Sequence, residues 1–108
     1  TQADLVASQL FGPIIGHVGD GNFHVVLSVD PEDHPMVERM EQFHTRLVER
    51  ALAMEGTCTG EHGIGMGKID YLVDELGNEA VGVMATIKKA LDPNRIMNPG
   101  KIIAETFF

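Results

Sequence analysis

The sequence predicts an α+β fold, on three observations. Two apolar stretches rich in β-branched residues flank an Asp20-Gly21 turn signal. A long segment over residues 34–54 carries an apolar stripe at helical spacing. Two further helical stretches follow a glycine-rich loop. Strands and helices that segregate along the chain in this way point to an antiparallel sheet with helices on one face.

Taken in order, residues 3–11 read as a helix, with Leu5, Val6 and Leu10 at helical spacing and Gly12-Pro13 as its stop. Pro13 to Val18 reads as a short strand and Phe23 to Val29 as a second, dense in β-branched residues. Asp-Gly between alternating apolar residues predicts a two-residue type I′ turn, which needs positive φ at both central positions. Gly19 then faces Asn22, Val18 faces Phe23, and His17 faces His24. Alternation puts Phe23, Val25, Leu27 and Val29 on the core side and His24, Val26 and Ser28 on the other.

Asp33 or His34 caps the long helix, Pro35 suits its first turn, and Gly56 ends it. Its stripe is Val37, Met40, Phe43, Leu47, Ala51 and Met54. The other side carries Glu38, Arg39, Glu41, Arg46, Glu49 and Arg50, which read as exposed pairs. Residues 57–68 hold too many glycines for a regular helix or strand. Ile69 to Leu76 is a short helix closed by Gly77. Asn78 opens another, striped by Ala80, Met84, Ile87 and Leu91, which Asp92-Pro93-Asn94 ends. Ile102-Ile103 is available for a last strand.

With 108 residues, 44% hydrophobic and 22% charged, the chain fits one globular domain or a piece of one. No apolar run is long enough to span a membrane as a helix. The formal net charge is −8, and eight Lys and Arg lie scattered, which leaves no nucleic-acid footprint. Thr1 is not an initiator Met, and a helix already ending by residue 11 reads as part of a longer chain.

Two imidazoles on one hairpin face are a metal-site signal. Glu61-His62 in the glycine-rich loop adds a carboxylate and a third imidazole. Two His and one Glu with an open position describe a catalytic metal site. His34 and His44 read as surface residues. Cys58, the only cysteine, cannot pair within the chain and reads as a small buried thiol. Gly67-Lys68 is not a P-loop, because His62 stands where the first Gly belongs and Ile69 where Ser or Thr belongs. Gly63, Gly65 and Gly67 lack the dinucleotide-binding spacing.

Three stretches now carry a resemblance: residues 16–24 (Gly-His-Val-Gly-Asp-Gly-Asn-Phe-His), residues 56–68 (Gly-Thr-Cys-Thr-Gly-Glu-His-Gly-Ile-Gly-Met-Gly-Lys) and residues 91–102 (Leu-Asp-Pro-Asn-Arg-Ile-Met-Asn-Pro-Gly-Lys-Ile). In this order they resemble the C-terminal part of FAD-linked oxidases and dehydrogenases of the vanillyl-alcohol-oxidase type. The branch is that of D-lactate dehydrogenase (cytochrome), the glycolate oxidase flavin subunit and D-2-hydroxyglutarate dehydrogenase, with residues 56–68 most like the D-lactate (cytochrome) type. The resemblance implies part of a ferredoxin-like substrate domain, with the FAD-binding domain preceding it and absent here. It implies His17, His24 and Glu61 as metal ligands, His62 as the proton acceptor and Asn98 on the cofactor side. Val26 stands where hydroxyglutarate-type relatives carry a polar substrate contact, which leans toward a small or apolar 2-hydroxy acid.

The cofactors implied are FAD, bound mainly by the missing domain, and a divalent metal. Zn²⁺ is the first choice, with Mn²⁺, Fe²⁺ and Co²⁺ as alternatives. The partners implied are the 2-hydroxy acid substrate and an electron acceptor such as a cytochrome, a quinone or an electron-transfer flavoprotein. The compartment would be cytoplasmic in a bacterium and mitochondrial in a eukaryote. The isolated chain is expected to be inactive and to self-associate through uncovered apolar surface. The competing reading is a non-catalytic interaction module with a structural histidine hairpin.

Overall fold

The computed structural model describes residues Thr1–Phe108. The fold class is α+β. The chain divides into two compact units, Thr1–Glu55 and Gly56–Phe108.

The first unit holds helix α1 (Gln2–Ala7), strands β1 (Ile14–Ile15) and β2 (His24–Val25), and helix α2 (His34–Ala53). Helix α1 ends before the Gly12-Pro13 stop. Gln9 takes a left-handed φ of 55°, the Leu10 N–H donates to the Leu5 carbonyl at 3.0 Å, and the Gln9 N–H donates to that of Val6 at 3.1 Å. These nested bonds form a Schellman ending, which characteristically seats an apolar residue against the helix. Leu10 is that residue, and it joins Leu5 and Phe43 in the buried cluster of this unit.

The strands pair antiparallel, with Ile14 opposite Val25 and Ile15 opposite His24. They are shorter than the apolar runs suggest. Pro13 accepts one more bond, from the Val26 N–H at 3.1 Å, but has no N–H to return, so the ladder stops there. Val25 and Leu27 pack toward the helical cluster with Met36, Met40 and Leu47, as the alternation predicts. Phe23 departs from it: it stands outside the paired strand and is 43% exposed.

Helix α2 begins on Asp33, whose carboxylate accepts from the Met36 N–H at 3.0 Å. Met40, Phe43 and Leu47 face the cluster. Met54 falls out of the predicted stripe because the helix closes at Ala53 and Met54 is the exposed cap. Glu55, one residue before Gly56, takes the left-handed position with φ 60°. The polar side of α2 is not merely solvated. Arg46 and Arg50 both reach Asp4 of α1, each with one contact of 2.7 Å, and Arg46 also donates to the Ser8 hydroxyl at 2.8 Å. The Arg46 guanidinium is the main reason the Asp4 carboxyl sits well below the usual range; partial burial opposes the shift, and Arg50 and Ser8 reinforce it.

The second unit holds the glycine-rich loop, helix α3 (Ile69–Leu91) and the tail. Helix α3 is two helical pieces joined at Gly77, whose φ of 79° and ψ of 159° are open to glycine alone. The predicted break at Gly77 is therefore present. The stripe beyond it is rotated. Val81 and Ala85 are buried with Leu72 and Ile103, and Met84 packs against them, whereas Ile87 and Leu91 are exposed. Val81 and Ala85 stand one position on from the predicted Ala80 and Met84, and theirs is the side that meets Leu72 and Ile103.

Asp92 closes α3 from a buried position. Its carboxylate meets the Lys88 ammonium at 2.5 Å and accepts from the N–H groups of Ile96 and Met97 at 3.1 and 3.0 Å. Ile102-Ile103 adds no strand. Ile102 has φ 68°, and the Ile103 N–H donates to the Lys101 carbonyl at 2.7 Å, which makes a tight γ-turn centred on a β-branched residue. Arg95 pairs with Glu105 and stacks its guanidinium 4.6 Å from the centre of the Phe108 ring.

Candidate functional site

In the first unit His17 and His24 flank the turn between the strands; in the second, Glu61 and His62 lie on the glycine-rich loop and Asn98 in the tail. In the first unit, the segment between the strands does not form a two-residue turn. Val18–Asp20 is a turn of 3₁₀ helix, and only Gly21, at φ 72° and ψ 14°, is left-handed. The His17 carbonyl accepts from the N–H groups of Asp20 and Asn22 at 2.8 and 3.2 Å. The loop thus has four residues rather than two, and the register moves by two. His24 faces Ile15, so His17 and His24 stand on a diagonal rather than directly opposite. The diagonal spacing on one face is still within reach of long side chains.

Gly16 shows how tightly the mouth of this loop is drawn. A Cβ there would lie 2.4 Å from Phe23 Cα and 2.5 Å from the Asn22 carbonyl oxygen. Only a residue with no side chain lets the two backbones approach so closely. Asp20 and His17 are exposed and His24 is half-buried. Val26 is 51% exposed.

In the second unit, Glu61 and His62 are adjacent and exposed. The loop that bears them is closed on itself, because the Thr59 hydroxyl donates to the Gly63 carbonyl at 3.1 Å. Just upstream, Cys58 is buried at 3% exposure. The Lys68 ammonium donates to its carbonyl at 2.7 Å, and its N–H donates to the Glu75 carboxylate at 2.8 Å. Burial, with Glu75 second, pushes the Cys58 thiol up to about 11. A thiol held protonated in this way is a poor nucleophile, in agreement with the buried-thiol reading. On the far side of the loop, the Ile102 N–H donates to the Gly65 carbonyl at 2.8 Å.

Asn98 lies exposed in the tail at φ 46°, a conformation asparagine tolerates better than most residues. His34 is exposed, as expected, while His44 is half-buried. Sequence reading missed Lys68 and Glu75. Their signal was present, since seven residues on a helix is close to two turns and returns a side chain to the same face. No helix is long and apolar enough to cross a membrane.

These features can be set beside known proteins. The family described as FAD linked oxidases, C-terminal domain, matches residues 1–102. The chain is 54% identical over 106 residues to a "Probable D-lactate dehydrogenase, mitochondrial" of Danio rerio, covering 98% of this chain and 21% of that protein. It is 53% identical over 103 residues to "D-lactate dehydrogenase [cytochrome] 1, mitochondrial" of Saccharomyces cerevisiae, covering 94% of this chain and 17% of that one. It is 42% identical over 90 residues to "Glycolate oxidase subunit GlcD" of Bacillus subtilis, covering 83% and 19%. The chain thus spans about a fifth of the length of these relatives.

Proposed function

Because the chain belongs to the family of C-terminal domains of FAD-linked oxidases, we propose that it is the substrate and metal-binding piece of a flavin-dependent D-2-hydroxy acid dehydrogenase of D-lactate type. In this reading the FAD-binding domain is supplied by another part of the same protein. The family match carries the reading. The presentation of Glu61 and His62 side by side on a closed, exposed loop supports it.

His17, His24 and Glu61 are the residues that would hold a divalent metal. Two imidazoles and a carboxylate suit Zn²⁺ with an open position, and Mn²⁺, Fe²⁺ or Co²⁺ after it. When bound, the metal supplies Lewis acidity toward the substrate hydroxyl and carboxylate, and FAD supplies the hydride acceptor. His62 takes the hydroxyl proton, the usual work of an imidazole near neutral pH. Asn98 lies on the cofactor side. Val26 offers an apolar contact, which favours a short, uncharged side chain on the acid over a second carboxylate. The electrons leave to a cytochrome, a quinone or an electron-transfer flavoprotein, as the name of the yeast relative suggests for one of these.

The test is flavin reduction by D-lactate in the full-length protein, followed in single turnover. His62→Gln should slow it by about 10²–10⁴-fold while metal content and flavin absorbance stay unchanged. An unaltered rate would remove His62 from the mechanism. Reduction by D-2-hydroxyglutarate in preference to D-lactate would overturn the substrate class.

A further inference from the structure

We propose that Lys68 and Glu75 are positioning residues, which grip Cys58 by the two ends of its backbone and so fix the loop that presents Glu61 and His62. The proposal rests on the metal-and-base reading of those two residues and adds to it what holds them in place.

The geometry is complementary in charge. The Lys68 ammonium takes the Cys58 carbonyl at 2.7 Å and the Glu75 carboxylate takes the Cys58 N–H at 2.8 Å. Both bonds involve an ionised partner, which makes them shorter and stronger than bonds between neutral groups. Cys58 is buried, which leaves little water to compete.

The position along the chain gives the clamp its purpose. Cys58 lies three residues before Glu61. Gly65, held by the Ile102 N–H at 2.8 Å, lies three residues after His62. Between these anchors the Thr59 hydroxyl bridges to the Gly63 carbonyl. The free stretch is short, so little conformational entropy remains to be lost when the tip engages a ligand. A buried apolar side chain would have served if the loop needed only stability. A cation and an anion, both aimed at one peptide, fix its orientation as well. Sites held loose by even a small displacement lose much of their function.

The test uses ¹⁵N relaxation on the 108-residue chain and on Lys68→Met, Glu75→Gln and Thr59→Val. In the parent, order parameters at Glu61 and His62 should be near the ~0.85 of rigid backbone; in Lys68→Met and Glu75→Gln they should fall toward about 0.6, with residues 78–91 unchanged. Lys68→Arg should restore part of the order. The same samples titrated with Co²⁺ should bind it about tenfold more weakly than the parent, the scale usual for outer groups that orient metal ligands. Glu75→Gln, which keeps the size and shape of the side chain, keeps the test open if Lys68→Met does not fold, and Thr59→Val is the comparison that loosens the tip without touching either clamp residue. Unchanged order at the tip in all variants, a parent loop already mobile, or loosening with unaltered Co²⁺ affinity would each overturn the proposal. If the variants loosen the tip but no sample binds Co²⁺ and the full-length protein binds none either, the clamp stands and the metal reading falls.

Discussion

The Asp92 carboxylate lies 2.5 Å from the Lys88 ammonium, one helical turn upstream, and at the same time receives the N–H groups of Ile96 and Met97. One buried side chain therefore joins the end of helix α3 to the tail that follows. Asp92→Asn places an amide where several donors converge, so one of them loses its acceptor. The expected outcome is a fall of several degrees in the melting temperature by calorimetry. Unchanged melting would show that the joint carries no stability.

The Asp4–Arg46–Arg50 contact sets an acid limit. Arg46, with Arg50 and Ser8, holds the Asp4 carboxyl below its ordinary value of 3.8. A carboxyl depressed on folding contributes stability that is whole above the unfolded value and lost as pH falls toward the folded one. Asp4→Asn should therefore lower the urea midpoint at pH 7 and make progressively less difference below about pH 4. Because both arginines are partly exposed, salt should weaken the effect. A deficit that stays constant from pH 7 to pH 2 would contradict this.

Two helices end on residues other than glycine in left-handed backbone, Gln9 at φ 55° and Glu55 at φ 60°. Glycine adopts this conformation without the Cβ conflict, although it loses more entropy on folding. Gln9→Gly and Glu55→Gly should each raise stability by about 0.5 kcal/mol, measured by chemical denaturation. A loss in either would mean that its side chain contributes more than the backbone strain costs.

Val83, Ile87 and Leu91 follow one another at four-residue spacing on α3 and stand 61%, 54% and 78% exposed. An apolar stripe of this kind gives the expectation of self-association a specific place to be tested. The isolated chain should sediment as more than a monomer at tens of micromolar, and Ile87→Lys with Leu91→Lys should shift it toward monomer. A monomeric parent at all concentrations would rule out self-association by this face.

The sequence was most legible where a local rule acts alone. Asp33 as the cap of α2, the break at Gly77 and the buried thiol of Cys58 each follow from the residue itself. It was least legible where distant groups decide. Nothing near Arg46 or Arg50 announces that their partner is Asp4, more than forty residues away. The stripe after Gly77 was misplaced because distant partners, Leu72 and Ile103, choose the face that packs, and they meet Val81 and Ala85 rather than Ile87 and Leu91. At the candidate site, the hairpin register was not legible. Asp20-Gly21 signals a turn, yet Val18 and Gly19 were drawn into it as well.

That register has a consequence for how the hairpin tolerates change in length. Side chains alternate along a strand with period two, so a shift by an even number of residues leaves every one of them on its original side. The longer turn is such a shift, which is why Val25 and Leu27 still reach the buried cluster. Insertions in the Val18–Gly21 loop should follow the same parity. A two-residue insertion lengthens the tip and leaves His24 on its own face. A one-residue insertion that propagates into the pairing would turn His24 inward and Val25 outward, exchanging a candidate ligand for a core residue in a single event.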